Sequence, residues 1–254
     1  MNEPLVSIIM PAYNAEKYIE EAIQSVQNQS YQNWELLICD DCSTDNTVKI
    51  IENKIKKDLR IKLFKLQNNC GAAIARNSSI KHAIGDYLAF LDSDDSWYKD
   101  KLRKQILFME QNEYHFTCTY YNKIDENGEN LNKIITYQNQ SNYSNLLYNC
   151  PGNSTVIYNC NILGKFYISD LKKRNDYLMW LQVIKKSNKL ICLDECLSTH
   201  RLVSTGLSNK KRELVKYHWY IYREIEKLSL FKSIKITLYW IFKGLFSKLY
   251  FWRR

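Results

Sequence analysis

The chain has 254 residues, 45% of them apolar, with only seven glycines and three prolines, which suffices for a sizeable core and excludes a disordered chain. Its formal charge of +9 is lopsided: residues 1–208 hold 24 basic and 24 acidic side chains, whereas residues 209–254 hold 12 and 3, so the body lacks the basic face of a nucleic-acid binder. No stretch reaches the roughly 18 uninterrupted apolar residues of a membrane span and no basic-then-apolar leader opens the chain, so a cytoplasmic protein with reduced cysteines is expected.

Leu5 to Met10 is a short apolar run ended by Pro11, and Ile19, Ala22, Ile23 and Val26 then recur at helical spacing. A second strand, Trp34 to Cys39, closes on Asp40-Asp41, and Ser43 or Thr44 can cap a helix carrying Val48, Ile51 and Ile55. Cys39 and Cys42 have the spacing of half a zinc site, but no His and no second close pair accompanies them. A third strand, Ile61 to Leu66, leads through Asn68-Asn69-Cys70-Gly71 into an Ala-rich helix near residues 72–83. Tyr87-Leu-Ala-Phe-Leu then empties into Asp92, Asp94 and Asp95, ahead of a helix expected over Trp97 to Gln111.

Three carboxylates within four residues repel one another unless something positive sits among them. A divalent cation carrying a diphosphate fits, because hard ions keep one or two protein carboxylates beside substrate phosphates. The alternative is a solvated acidic turn capping the next helix. Near-continuous apolar strands alternating with helices imply a parallel sheet whose ligands bind outside the carboxyl strand ends. Pro11 to Tyr13, Asp40-Asp41 and Asp92 to Asp95 all fall on that edge.

After about residue 114 the pattern weakens into a short strand at Phe116 to Tyr121, a turn at Asp125 to Glu129, and a loop with three hydrogen-bonding side chains at Asn153-Ser-Thr155. From Lys172 a basic start turns amphipathic, placing Asp176 near a helix start. Residues 229–254 place Phe231, Ile234, Leu238, Ile241, Phe242, Leu245 and Leu249 on one helical face and Lys232, Lys235 and Lys243 on the other. Such a helix suits a membrane interface; alternatively it packs its stripe on the domain or on a second subunit.

Five ordered motifs carry a family resemblance: Val6 to Asn14, Leu36 to Asp45, Gly71 to Asn77, Phe90 to Asp95, and Asn175 to Leu181. Together they resemble the family-2 inverting glycosyltransferases of GT-A type, most closely bacterial enzymes assembling O-antigen or teichuronic acid. The resemblance implies a Rossmann-like, mostly parallel sheet flanked by helices, with a nucleotide-binding half (about 1–114), an acceptor-binding half (about 115–208) and a basic amphipathic helical tail (209–254). It implies that Pro11, Ala12, Tyr13 and Asp41 hold the uracil and ribose, with Arg76 near the pyrophosphate or base and Asp92 and Ser93 near the ribose. It further places Asp94 and Asp95 on Mn²⁺ or Mg²⁺, Asp176 as catalytic base, and Arg201 and Ser208 in a loop over the diphosphate. Asn175 departs from the Glu or Gln that usually precedes the base.

The implied reaction moves a hexose, glucose foremost, from a UDP-sugar to a polyprenyl-diphosphate-linked saccharide with inversion to a β-linkage. Its setting would be the inner face of a bacterial membrane, in contact with anionic lipid, without nucleic acid, as a monomer or a homodimer. Two other readings compete: a catalytically inactive nucleotide-sugar-binding subunit, and a nucleotidyltransferase, for which the chain lacks a Gly-rich, Lys-containing phosphate loop.

Overall fold

The computed structural model describes residues 3–169, 171, 173–203 and 211–251. The chain opens with β1 (Val6–Ala12), α1 (Ile19–Gln27), β2 (Trp34–Asp40), α2 (Thr47–Ile55), β3 (Ile61–Lys65), α3 (Ala72–His82) and β4 (Tyr87–Phe90), in the expected order. β1, β2 and β4 are buried at every position, which is why they read as unbroken apolar runs: helices cover both faces of the sheet. Side chains alternate across it. Ile8 and Met10 join α1 and α2 in one core cluster, while Ile9 joins Ala73 and Ile80 of α3 in another.

These strands lie in the order β3-β2-β1-β4, all parallel. The chain builds outward from β1 to β3 and then returns to the other side of β1. Strand order therefore reverses between β1 and β4, and a crevice opens at their carboxyl ends.

The second half adds β5 (Ser96–Trp97), α4 (Lys101–Asn112), β6 (Phe116–Ile124), β7 (Asn130–Ile135), β8 (Gln140–Ser141), α5 (Tyr143–Leu146), β9 (Ile157–Asn159), α6 (Cys160–Leu163), α7 (Asn175–Ser187) and β10 (Leu190–Arg201). β9 runs antiparallel to both β4 and β6, and β10 runs parallel to β6. The parallel character thus belongs to the first four strands and to the β6–β10 pair. The helix after the acidic box starts at Lys101 rather than Trp97, because Ser96 and Trp97 pair with Thr199 and Ser198 of β10. Asp125 to Glu129 turns the β6–β7 hairpin, with Gly128 at a φ of 90° that suits glycine.

α7 is buried from Tyr177 to Leu181 and again at Val183 and Ile184, as befits a helix covered on all sides. Trp180 meets Phe90 edge-on at 4.9 Å on its sheet side. The other side is closed by α8 (Lys211–Tyr220), a π turn (Ile221–Ile225) and α9 (Leu230–Phe251), which lend Ile221, Tyr222 and Ile236 to the same core. α9 packs through Ser233, Ile236, Thr237 and Trp240, whose indole N–H donates to the Leu147 carbonyl at 2.9 Å. The stripe noted in the sequence faces away: Phe231, Ile234, Leu238 and Phe242 are all exposed. Lys243 folds back to donate to Asn149 at 3.0 Å instead of lying free. The side chains of Leu245 and Leu249 fall outside the described set.

Candidate active site

β1 and β2 deliver their ends to the crevice side by side. Pro11 and Ala12 are buried, and the chain then turns outward so that the Tyr13 ring is half exposed. Asn14, at a φ of 45°, ties this turn to the loop after β2: its side chain accepts the Thr44 N–H at 2.9 Å and its N–H donates to the Ser43 hydroxyl at 2.9 Å. Asp41 is buried, and its two oxygens accept the Cys70 and Gly71 amides at 2.7 and 2.8 Å. One carboxylate thereby pins the entry to α3, where Gly71 takes a φ of 89°.

That pinned helix presents Arg76. The guanidinium is buried, pairs with Asp92 at 2.5 Å, and donates to the Asn175 side-chain oxygen at 3.4 Å. Burial alone would lower its pKa, but the fields of Asp92, Asp176 and Asp94 outweigh it and hold the cation more firmly than usual. Arg76 thus joins the acidic turn after β4 to the start of α7.

The three carboxylates of that turn take different directions. Asp92 accepts from Arg76 and from the Asn153 amide at 2.9 Å, and its own N–H donates to the Ser154 hydroxyl at 3.1 Å. Ser93 is half-buried beside it. Asp95, expected at a metal, is instead turned inward. One of its oxygens accepts the Ser154 hydroxyl at 2.5 Å, the other accepts the Arg201 N–H at 3.0 Å, and His200 lies 3.3 Å away. Asp94 stays partly open to the crevice. Burial first, then repulsion from Asp95 and Asp92, raises its carboxyl to about 7, with His200 opposing. The same carboxylates hold His200 above its ordinary value against the effect of its own burial.

The donor set fits a divalent ion through Asp94, since added positive charge would relieve the repulsion that raises it. Among the described residues no group of three His, Cys, Asp or Glu side chains could hold a metal. An ion held through Asp94 would have to take its remaining ligands from substrate phosphate and water.

Arg201 also departs from expectation. It is buried, with its guanidinium on Glu21 at 2.5 Å, on the Asp94 carbonyl at 3.0 Å, and over the Tyr18 ring at 4.7 Å. These contacts make it a strut beneath the acidic turn. Ser208 lies outside the described residues.

Asp176 occupies the first turn of α7, half-buried. Asn175, the residue marked as a departure, has a structural task. Its side-chain oxygen accepts the Asp176 N–H at 2.7 Å and the Arg76 guanidinium, while its amide donates to the Leu171 carbonyl at 3.2 Å. A neutral amide suits this place, because it must donate and accept at once.

Three positions escaped sequence reasoning. Asn153 and Ser154 form a buried 3₁₀ turn that holds Asp92 and Asp95; their clustering in a polar triplet was the available signal. Glu21, on α1, left no signal, because its partner Arg201 is 180 residues away.

The sequence profile of glycosyl transferase family 2 matches residues 7–171. The chain belongs to glycosyl transferase family 2. Among its relatives this family-2 transferase is similar to the putative teichuronic acid biosynthesis glycosyltransferase TuaG of Bacillus subtilis (strain 168), with 41% identity over 91% of this chain and 92% of that one. It is similar to WfgD of Escherichia coli, named UDP-Glc:alpha-D-GlcNAc-diphosphoundecaprenol beta-1,3-glucosyltransferase, with 41% identity over 86% of this chain and 85% of that one. Its fold is that of S. aureus TarS 1-349 crystallised with UDP, at a TM-score of 0.71 and 25% identity, covering 93% of this chain and 70% of that fragment. The fold is thus GT-A. The family profile stops short of Asp176, whereas the alignment to TuaG, over 232 residues, is long enough to span it.

Proposed function

We propose that this family-2 glycosyltransferase moves a hexose, glucose foremost, from a UDP-sugar to a saccharide carried on polyprenyl diphosphate, inverting the anomeric carbon to give a β-linkage. The observation that carries this reading is the join between acid and base: Arg76 bridges Asp92 of the acidic turn to Asn175, whose side chain holds the backbone of Asp176. A donor diphosphate at the acidic turn would then lie across the crevice from a carboxylate able to take a proton. The name of WfgD supplies the donor and acceptor classes.

Each residue then has a chemical task. The uracil lies against Tyr13 above Pro11 and Ala12. Asp41 still has a free lone pair on each oxygen to accept the base N–H. Asp92 and Ser93 face the ribose. Asp94 would hold Mn²⁺ or Mg²⁺, which when bound would supply charge stabilisation for the leaving group. Arg76 adds a fixed cation on the same side. Asp176 takes the proton of the acceptor hydroxyl, whose oxygen bonds to the anomeric carbon. The bond from that carbon to the UDP oxygen breaks, its electron pair leaves with UDP, and configuration inverts.

The setting follows from the tail. No described helix is long and apolar enough to cross a membrane. The exposed stripe of α9, in a segment with 12 basic and 3 acidic residues, suits a peripheral seat on the anionic inner face of a cell membrane, where lipid-linked acceptors are presented.

The test is UDP release from a panel of UDP-sugars, with Mn²⁺ or with a chelator, in the presence of a diphosphate-lipid acceptor. One donor should turn over with metal, and Asp176→Asn should lower kcat by about 10²- to 10⁴-fold with UDP binding retained. Metal-dependent UDP binding without turnover in the wild type would instead indicate an inactive nucleotide-sugar-binding subunit.

A further inference from the structure

Arg174 and Lys243, 69 positions apart in the sequence, meet on one indole. Arg174, held at a φ of 61° just before α7, sets its guanidinium carbon 5.2 Å from the Trp240 ring. Lys243 sets its ammonium 4.9 Å from the same ring, and its only described acceptor is the neutral Asn149 side chain. Among the described residues neither cation is paired with a carboxylate. The Arg174 Nε is in addition buried without a hydrogen-bond partner. Arg174 opposes the charge on Lys243, so both burial and repulsion lower the lysine pKa. Each cation is attracted to the indole face, but the two repel one another, and an anion between them would relieve that repulsion, the mirror image of the acidic turn.

The position of this pair limits the anion. Arg174 is two residues before Asp176, and the half-buried Cys150 thiol feels Asp176, Arg174 and Lys243 together. Arg174 therefore stands at the entry to the helix whose first turn carries the base. Trp240 and Lys243 also belong to α9, whose opposite face carries the exposed Phe231, Leu238 and Phe242. If that face rests on a bilayer, the pair lies about one helix diameter, ~10 Å, above it. A lipid-linked acceptor carries its sugar hydroxyl, its diphosphate and its hydrocarbon in that same sequence.

We propose that Arg174 and Lys243 bind the diphosphate of the acceptor, which sets the acceptor sugar at Asp176 while its lipid stays in the membrane under α9. The proposal rests on the lipid-linked acceptor assigned above. Bidentate guanidinium and point-charge ammonium are the usual pair for such a group.

The test compares two acceptors with the same sugar, N-acetylglucosamine on an alkyl diphosphate and N-acetylglucosamine on a neutral alkyl glycoside, as a ratio of kcat/KM within each protein. Because both values come from one preparation, a partly misfolded fraction cancels. Arg174→Gln with Lys243→Gln should lower the preference for the diphosphate by about tenfold or more, through KM, as expected for losing charge-assisted hydrogen bonds. Arg174→Lys and Lys243→Arg should keep most of it. An unaltered ratio in the Gln pair overturns the proposal. So does stronger competition by phosphatidylglycerol micelles than by the alkyl diphosphate, which would assign the cations to bilayer phosphates. If the wild type transfers to neither acceptor, the acceptor reading fails, and titration of the same alkyl diphosphate into UDP-saturated protein decides the site separately: weaker binding by the Gln pair retains it, and equal binding removes it.

Discussion

Lys101 is fully buried, and among the described residues its ammonium meets only the Gln105 side-chain oxygen at 2.8 Å and the Trp97 ring at 4.4 Å. Burial lowers its pKa from 10.5 to about 7. Between those values the unfolded chain holds a proton that the native state has released, so native stability rises with pH across that window and is lowest below about 7. Lys101→Met, similar in length and apolar, is therefore expected to stabilise the protein at pH 7 by ~1–4 kcal/mol, the range found when buried charges give way to well-packed apolar groups. The gain should shrink as pH approaches 10. Urea midpoints of the two proteins at pH 7 and pH 10 check this, and a midpoint lowered at pH 7 would show that the cation over Trp97 stabilises the fold.

At the scale of an element, the 3₁₀ turn Asn153–Thr155 organises the acidic turn more than β4 does. Ser154 alone donates to Asp95, accepts from the Asp92 N–H, and offers its carbonyl to the Trp97 indole. Ser154→Ala removes the first two bonds and keeps the third. The expected result is a ~10- to 100-fold loss in activity or metal affinity, the usual effect of removing a group that orients a ligand carboxylate. The Mn²⁺ concentration for half-maximal UDP release should rise accordingly. Full activity at unaltered Mn²⁺ demand would mean that Asp94 is positioned by its backbone and needs no support from the turn.

For the whole molecule, the question is what α9 does with two apolar faces. Ile236 and Trp240 belong to the core, so removing the tail would strip the domain as well as any membrane contact. Phe231 and Phe242, 80% and 54% exposed, can be altered without that penalty. Phe231→Glu with Phe242→Glu should lower partition to phosphatidylglycerol vesicles by more than about tenfold, since each buried Phe contributes ~1.5–3 kcal/mol, while the melting temperature holds. Unaltered partition together with conversion of a dimer to a monomer would make the stripe a subunit interface.

The sequence by itself determined what is local or periodic. Buried parallel strands are apolar throughout, so β1, β2 and β4 were legible as strands, and the polar residues ending them were legible as one rim. The Gly71–Asn77 motif marked the helix that carries Arg76, and Asp176 was legible at a helix start. Tertiary structure decided which way each polar group points. Alternation stops where a strand ends, so nothing in Asp92-Ser-Asp-Asp95 says that Asp94 stays open while Asp95 turns to Ser154 and Arg201; that choice comes from the 3₁₀ turn Asn153–Thr155 and the end of β10, which reach the acidic turn from 59 and 106 residues downstream. The tail followed the same logic. Hydrophobic periodicity found the stronger stripe of α9, but the helix packs its weaker one, because Ser233 and Thr237 allow close approach and the Trp240 indole finds the Leu147 carbonyl. A pattern of side chains records which faces avoid water, and only the folded chain supplies the surface each face meets.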